Sequence, residues 1–202
     1  MDFLRQLADD TAAIAALVRA CDLDAAVPSC PGWTVADVVR HLGQIHRWAT
    51  TVVGTGESAT REDPPVTDTA DQLADWFADG AARLHDVLRA TDPDTECWTF
   101  GFPPARAGFW RRRQAVETAL HRWDIETALN RASTIPTDLA EAGIDEVIDF
   151  LYPRQVALGR TPPLDTPLAR SASTPATEYF LALWARGDRE RCGLPADARL
   201  TP

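Results

Sequence analysis

The chain has 202 residues, of which 45% are hydrophobic and 25% charged, the composition of a globular protein with one main domain rather than of a disordered chain. Acidic residues outnumber basic ones 30 to 20 for a formal charge of -10, and the one basic run is Arg111 to Arg113, so no nucleic-acid partner is expected. No apolar run approaches bilayer length, and every basic residue is arginine, which excludes Schiff-base chemistry on lysine.

In chain order, Phe3, Leu4, Leu7, Ile14, Leu17, Val18 and Cys21 recur at helical spacing and predict a first helix from about Asp2 to Cys21. The stretch VPSCPGW cannot continue it. Thr34 then reads as an N-cap, with Asp37 three residues on as the short form of a capping-box acid. The second helix should run from Val35 to about Val53, with Val38, Leu42, Ile45, Ala49 and Val52 inward. A polar, proline-containing loop is expected over 54–68. A third helix follows from about Thr69 to Arg89, with Leu73, Trp76, Phe77, Leu84, Val87 and Leu88 inward. A long loop over 91–108 carries Trp98, Phe100 and Phe102, which suggests that it packs down. The fourth helix spans about Phe109 to Asn130, and a fifth pattern runs from Thr137 to Leu158, with Pro153 kinking or ending it. After several prolines comes a last helix, Ala176 to Arg186. The pattern is four long antiparallel helices with short additions at the C-terminal end.

The fourth helix contains ETALHRWD, residues 117 to 124. Glu117, His121 and Asp124 lie four and three residues apart and so share a face with Ile125 and Ala128. That face is apolar enough to turn inward, where an acid beside an imidazole must be paired, hydrogen-bonded or bound to metal. The second helix offers His41 and His46, about 140° apart around its axis, so both cannot aim at one point. His41 shares the inner stripe, whereas His46 reads as a group behind the site or on the surface, and His85 falls on a solvated face. If helices two and four face each other, His41 meets Glu117 and His121. Two imidazoles and a carboxylate are a ligand set for zinc with a fourth position open, and other divalent ions use the same set. Asp124 and Asp37 are the candidates for holding the far nitrogens of the two imidazoles. A buried Glu–His pair without metal is the plain alternative. The two Glu-x-x-His pairs of a di-iron bundle are missing.

The segments VPSCPGWTVADVVRHLGQIHRWA and WTFGFPPARAGFWRRRQAVETALHRWDIETAL together resemble the mycothiol-dependent maleylpyruvate isomerase family, among the DinB-like helical bundles. The resemblance covers about residues 1 to 160. It implies an all-α, DinB-like antiparallel four-helix bundle over residues 1–133 and a short, mostly helical extension over 134–202, a remnant of the family's C-terminal domain. It implies that His41, Glu117 and His121 hold a divalent metal, usually zinc, and that mycothiol is the thiol cosubstrate. The partners expected are then a small electrophile and a low-molecular-weight thiol, the activated sulfur acting in an isomerase or a transferase. A non-catalytic metal- and thiol-binding bundle is the alternative, because the strands of the family's second domain have almost no room between Asp165 and Thr174.

Other groups have simpler readings. Trp33, Trp48, Trp76, Trp110, Trp123 and Trp184 read mostly as packing groups. Cys30 is a small apolar residue at the entry to the second helix. Among Arg111 to Arg113, one member turns inward or receives an anionic substrate. With no CxxC pair among Cys21, Cys30, Cys97 and Cys192, and no export signal, a reducing cytoplasm is the simplest setting.

Overall fold

The computed structural model describes all residues except Pro65, Thr67, Asp68, Pro104 and Asp197. The first four fall in the two loops expected over 54–68 and 91–108, and at those positions the expectation lies outside the described residues. The described residues form helices and no strand beyond two isolated bridges, Ala26 with Thr34 and Glu96 with Arg106. They divide into two compact units, Asp2–Thr134, and Ile135–Pro202 with Met1.

The first unit holds α1 (Phe3–Val18), α2 (Val35–Thr55), α3 (Ala70–Ala90) and α4 (Gly108–Ala128). Their starts are set by side chains that satisfy the first free N–H groups. The Asp2 carboxylate accepts from the Arg5 N–H in α1. In α2 and α3 the pairs Thr34/Asp37 and Thr69/Gln72 close reciprocal capping boxes. Each such cap stabilises its helix by about 1 kcal/mol. Gly56 ends α2 in the left-handed conformation (φ 75°), which a residue with a Cβ adopts only under strain.

The helices form a ring in which α1 packs on α3 and α4, and α2 packs on the same two. Pairing of residues gives their directions. Gly43 faces Trp76 and Gly54 faces Val87, so α2 and α3 run the same way. Arg19 near the end of α1 meets Asp75 near the start of α3, so those two are antiparallel. His41 meets Glu117 while Trp48 meets Trp110, so α2 and α4 are antiparallel too. The order is therefore up, down, down, up. Parallel neighbours cannot be joined by a tight turn, which accounts for the long connection between α2 and α3.

The core is built by Ile14 and Val18 of α1, Val35, Val38 and Leu42 of α2, Leu73 and Phe77 of α3, and Ile125 of α4. Burial of each large apolar side chain contributes about 1.5–3 kcal/mol. As expected, the 91–108 loop packs down: Trp98 and Phe100 join Trp48, Phe109 and Trp110 in one aromatic cluster. Helix α4 is interior on nearly every face, and Arg113 to His121 is buried without interruption. Any polar group placed there needs a partner.

The second unit begins with α5 (Thr137–Glu146), which passes through a π-helical turn (Val147–Leu151) into α6 (Tyr152–Ala157). Pro153 does not end this helix. It enters at the first turn of α6, just after the widened turn, where its missing N–H costs least. Helix α7 (Ala176–Leu183) stops three residues short of the expected Arg186, because Ala185 turns left-handed (φ 59°) and the Arg186 N–H reaches back to the Leu181 carbonyl. Phe180 of α7 packs against Gly143 of α5, where a Cβ would sit 2.3 Å from the ring.

Candidate metal centre

Antiparallel packing of α2 on α4 brings three side chains to one point. His41 Nε2 lies 3.5 Å from Glu117 Oε1, and His121 Nε2 lies 3.5 Å from the same oxygen. All three donor atoms are within 4.8 Å of one another. The two imidazoles meet edge to face, with ring centroids 5.2 Å apart. Contacts of 3.5 Å are long for hydrogen bonds to a carboxylate. They match the spacing of ligands around one ion: bonds of about 2.0–2.1 Å in tetrahedral geometry put neighbouring donors about 3.4 Å apart. The donor set thus fits a divalent cation in both chemistry and spacing.

The electrostatics also favour positive charge at this point. Burial alone would push His121 down, but hydrogen bonds to Asp124, Cys30 and Glu117 outweigh it and hold its pKa well above the usual histidine range. Burial works to raise Glu117, yet the Arg113 guanidinium and the two imidazoles bring its carboxyl well below the usual carboxylate range. A proton or a metal ion can supply the charge this pocket stabilises. Exposure shows the open side: the His41 side chain is 26% accessible, against 9% for Glu117 and 8% for His121.

Behind the donors lies a second layer. His121 Nδ1 is 2.9 Å from Asp124 Oδ2. A carboxylate only accepts, so Nδ1 carries a proton and Nε2 is turned to the donor cluster, where a metal ion would take the place of the second proton that the raised pKa otherwise retains. Arg113 forms a close ion pair with Glu117 Oε2, one turn earlier on α4, which leaves Oε1 facing the histidines. Trp33 packs its ring against His41, centroids 5.0 Å apart, and is itself 36% exposed.

The family model of the mycothiol maleylpyruvate isomerase N-terminal domain matches residues 4–126, which is more than half of the chain and includes every donor just described. The chain belongs to this family. Among solved structures, a histidine-to-alanine mutant of the mycothiol-dependent maleylpyruvate isomerase matches with a TM-score of 0.58 at 14% identity, over 75% of this chain and 70% of that one. At that identity the likeness speaks for the fold. No curated protein matches significantly.

Within this isomerase-family chain, several residues differ from their sequence reading. Asp37 does not hold His41. Its carboxylate accepts from the Thr34 N–H at 2.9 Å and the Thr34 hydroxyl at 2.8 Å and pairs with Arg40, so the cap consumes the acid that was also offered to the imidazole. His46 is not at the surface: it is fully buried, with Nε2 3.0 Å from Thr118 Oγ1 and its ring on Phe77, because α2 is covered on two sides, by α3 and by α4. Burial drives its pKa down to about 3, so it is neutral. Cys30 is more than an apolar filler, since its Sγ lies 3.5 Å from Asp124 Oδ2 and forms with His121 and Asp124 a second cluster of possible donors. Arg113 is the inward member of the arginine run. Arg111 instead donates to the Leu88 and Thr91 carbonyls at the end of α3. His85 is partly exposed, as its face predicted. No helix among the described residues is long and apolar enough to cross a membrane.

Proposed function

We propose that this chain is a metal-dependent enzyme that uses a low-molecular-weight thiol, mycothiol by family, to isomerise or conjugate a small electrophile. The observation that carries the reading is the convergence of His41 Nε2, His121 Nε2 and Glu117 Oε1 at ligand spacing with one side left accessible. Zinc takes such a set of two imidazoles and one carboxylate, and is the ion proposed here. When bound, it would lower the pKa of a coordinating thiol so that sulfur arrives as thiolate at neutral pH.

The residues of the chain would do the rest. His41, Glu117 and His121 hold the ion. Asp124 keeps a proton on Nδ1 of His121, so Nε2 is the nitrogen left to the ion. Arg113 keeps Glu117 ionised and turned. Trp33 walls the accessible side with an apolar ring that limits water near the nucleophile. The thiolate sulfur would add to a carbon–carbon double bond conjugated to a carbonyl, breaking its π bond and placing the electron pair on the carbonyl as an enolate. In an isomerase, rotation about the resulting single bond and expulsion of the thiolate from the enolate restore the double bond in its new geometry; in a transferase the C–S bond remains and the enolate carbon takes up a proton from water. No cysteine of the chain is consumed. None of the four cysteines is in a disulfide, the state that a reducing cytoplasm maintains.

Steady-state turnover of an α,β-unsaturated diacid, with thiol and zinc each added or withheld, tests this. Activity that needs both supports the proposal, and equal turnover without thiol contradicts it. A non-catalytic thiol-binding bundle is the second reading, favoured by the absence of any strand among the described residues of 135–202. It predicts thiol affinity without turnover.

A further inference from the structure

The loop between α1 and α2 is folded into a closed ring. Val27 N–H donates to the Trp33 carbonyl at 2.9 Å, Cys30 N–H to the Val27 carbonyl and Trp33 N–H to the Cys30 carbonyl, each at 3.0 Å. Gly32 takes a left-handed conformation, φ 84°, that closes the turn. The ring is pinned at its base, where Val35 N–H donates to the Ala25 carbonyl and Ala36 N–H to the Leu23 carbonyl. Such a loop has little freedom, so the side chains on it are held in place by backbone bonds.

Three of those side chains point at the donor cluster. Trp33 lies against His41. Ser29 Oγ is 2.6 Å from Asp124 Oδ1, and Cys30 Sγ is 3.5 Å from Asp124 Oδ2. Asp124 has no solvent exposure, so its carboxylate depends on protein donors. Its two oxygens divide the work: Oδ1 receives the Ser29 hydroxyl and Oδ2 receives the His121 Nδ1–H. A carboxylate fixed at one oxygen cannot swing the other away from the imidazole.

We propose that Ser29 is a positioning residue of the metal centre. It locks Asp124 from the loop, and Asp124 in turn locks the tautomer and aim of His121. The proposal rests on the reading of His41, Glu117 and His121 as metal ligands, and it extends that reading to a residue 92 positions away from His121 in sequence (121 − 29). Partners of this kind typically change metal affinity by about 10–100-fold when removed.

The test is zinc affinity, measured on the full-length protein by competition with a chromophoric chelator, for the wild type, Ser29→Ala and Ser29→Thr. The visible absorption of the cobalt(II)-loaded forms is recorded alongside. The expected result is a loss of about 10-fold in Ser29→Ala, recovery to within about 3-fold in Ser29→Thr, which keeps the hydroxyl, and a shifted cobalt spectrum in Ser29→Ala alone. Should Ser29→Ala not fold, Ser29→Cys keeps the volume with a weaker donor and is expected to show an intermediate loss. Wild-type zinc affinity in the alanine or cysteine variant overturns the positioning role and leaves the metal centre standing. Equal losses in Ser29→Ala and Ser29→Thr overturn it too, because they report packing rather than the hydroxyl. A folded wild type that binds no zinc overturns the metal centre itself, and this inference with it.

Discussion

His41 and His46 sit five residues apart on the same helix and live in opposite surroundings. His41 is accessible on one side, faces an acid and a second imidazole, and lies beside an exposed tryptophan. His46 has a hydroxyl for its Nε2, a phenylalanine against its ring and no exposure. The difference shows that burial of a histidine is not by itself a functional sign. What marks His41 is the convergence of further donors at long, ligand-like distances, whereas His46 is a neutral core group tied by one hydrogen bond.

The sharpest way to break this contrast is to exchange the fates of the two. If His41 is a ligand as proposed, His41→Ala should lower zinc affinity by more than about 100-fold, while His46→Gln should leave affinity within a few-fold of wild type. Isothermal titration of both variants with zinc decides it. Equal losses would place His46 at the site and void the distinction.

Acid should separate them next. His46 has an ordinary pKa of about 6.5 when unfolded and about 3 when folded. Above pH 6.5 it is neutral in both states and its burial costs nothing in protonation. As pH falls through the window from about 6.5 to about 3, the unfolded chain binds a proton that the folded chain refuses, so stability is lost at up to about 1.4 kcal/mol per pH unit. His46→Gln removes this slope. Urea midpoints compared from pH 7 to pH 4 should show wild type falling more steeply than the variant, and parallel profiles would contradict the burial argument.

A third face of α2 is defined by Gly43, where an added Cβ would lie 2.2 Å from the Trp76 ring. Gly43→Ala should cost about 1–3 kcal/mol by overpacking. Thermal unfolding reads that loss, with zinc affinity of the folded protein expected to persist. The smallest effect belongs to the helix start. Thr34→Ala should cost about 1 kcal/mol by opening the capping box. Asp37→Asn should leave zinc affinity at the wild-type value, and a loss of affinity there would restore Asp37 as a partner of His41.

Much of this was legible in the sequence, for identifiable reasons. The start of α2 was marked by Thr34 with Asp37, and the Glu117, His121, Asp124 stripe follows from local helical geometry, which depends on nothing distant. What escaped depends on packing between elements. The interior position of His46 requires knowing that α2 is flanked by both α3 and α4, which a single-faced periodicity does not reveal. The parallel run of α2 and α3 likewise lies in the pairing of Gly43 with Trp76. Ser29 and Cys30 reach Asp124 across more than ninety residues of chain, and no spacing rule connects them. Asp37 was offered two roles by its position, and the nearer partner, Thr34, took it. Arg113 was recognisable as one member of a run, but only the turn it shares with Glu117 shows which arginine goes inward.

The central claim is that residues 117 to 124, with His41, hold a metal ion. The most direct measurement is the metal content of untagged protein by mass spectrometry, wild type beside His121→Ala. About one zinc or similar divalent ion per chain is expected in the wild type, lost in the variant. No metal in either protein, even after divalent ions are supplied, would contradict it and return Glu117 and His121 to a buried ion pair.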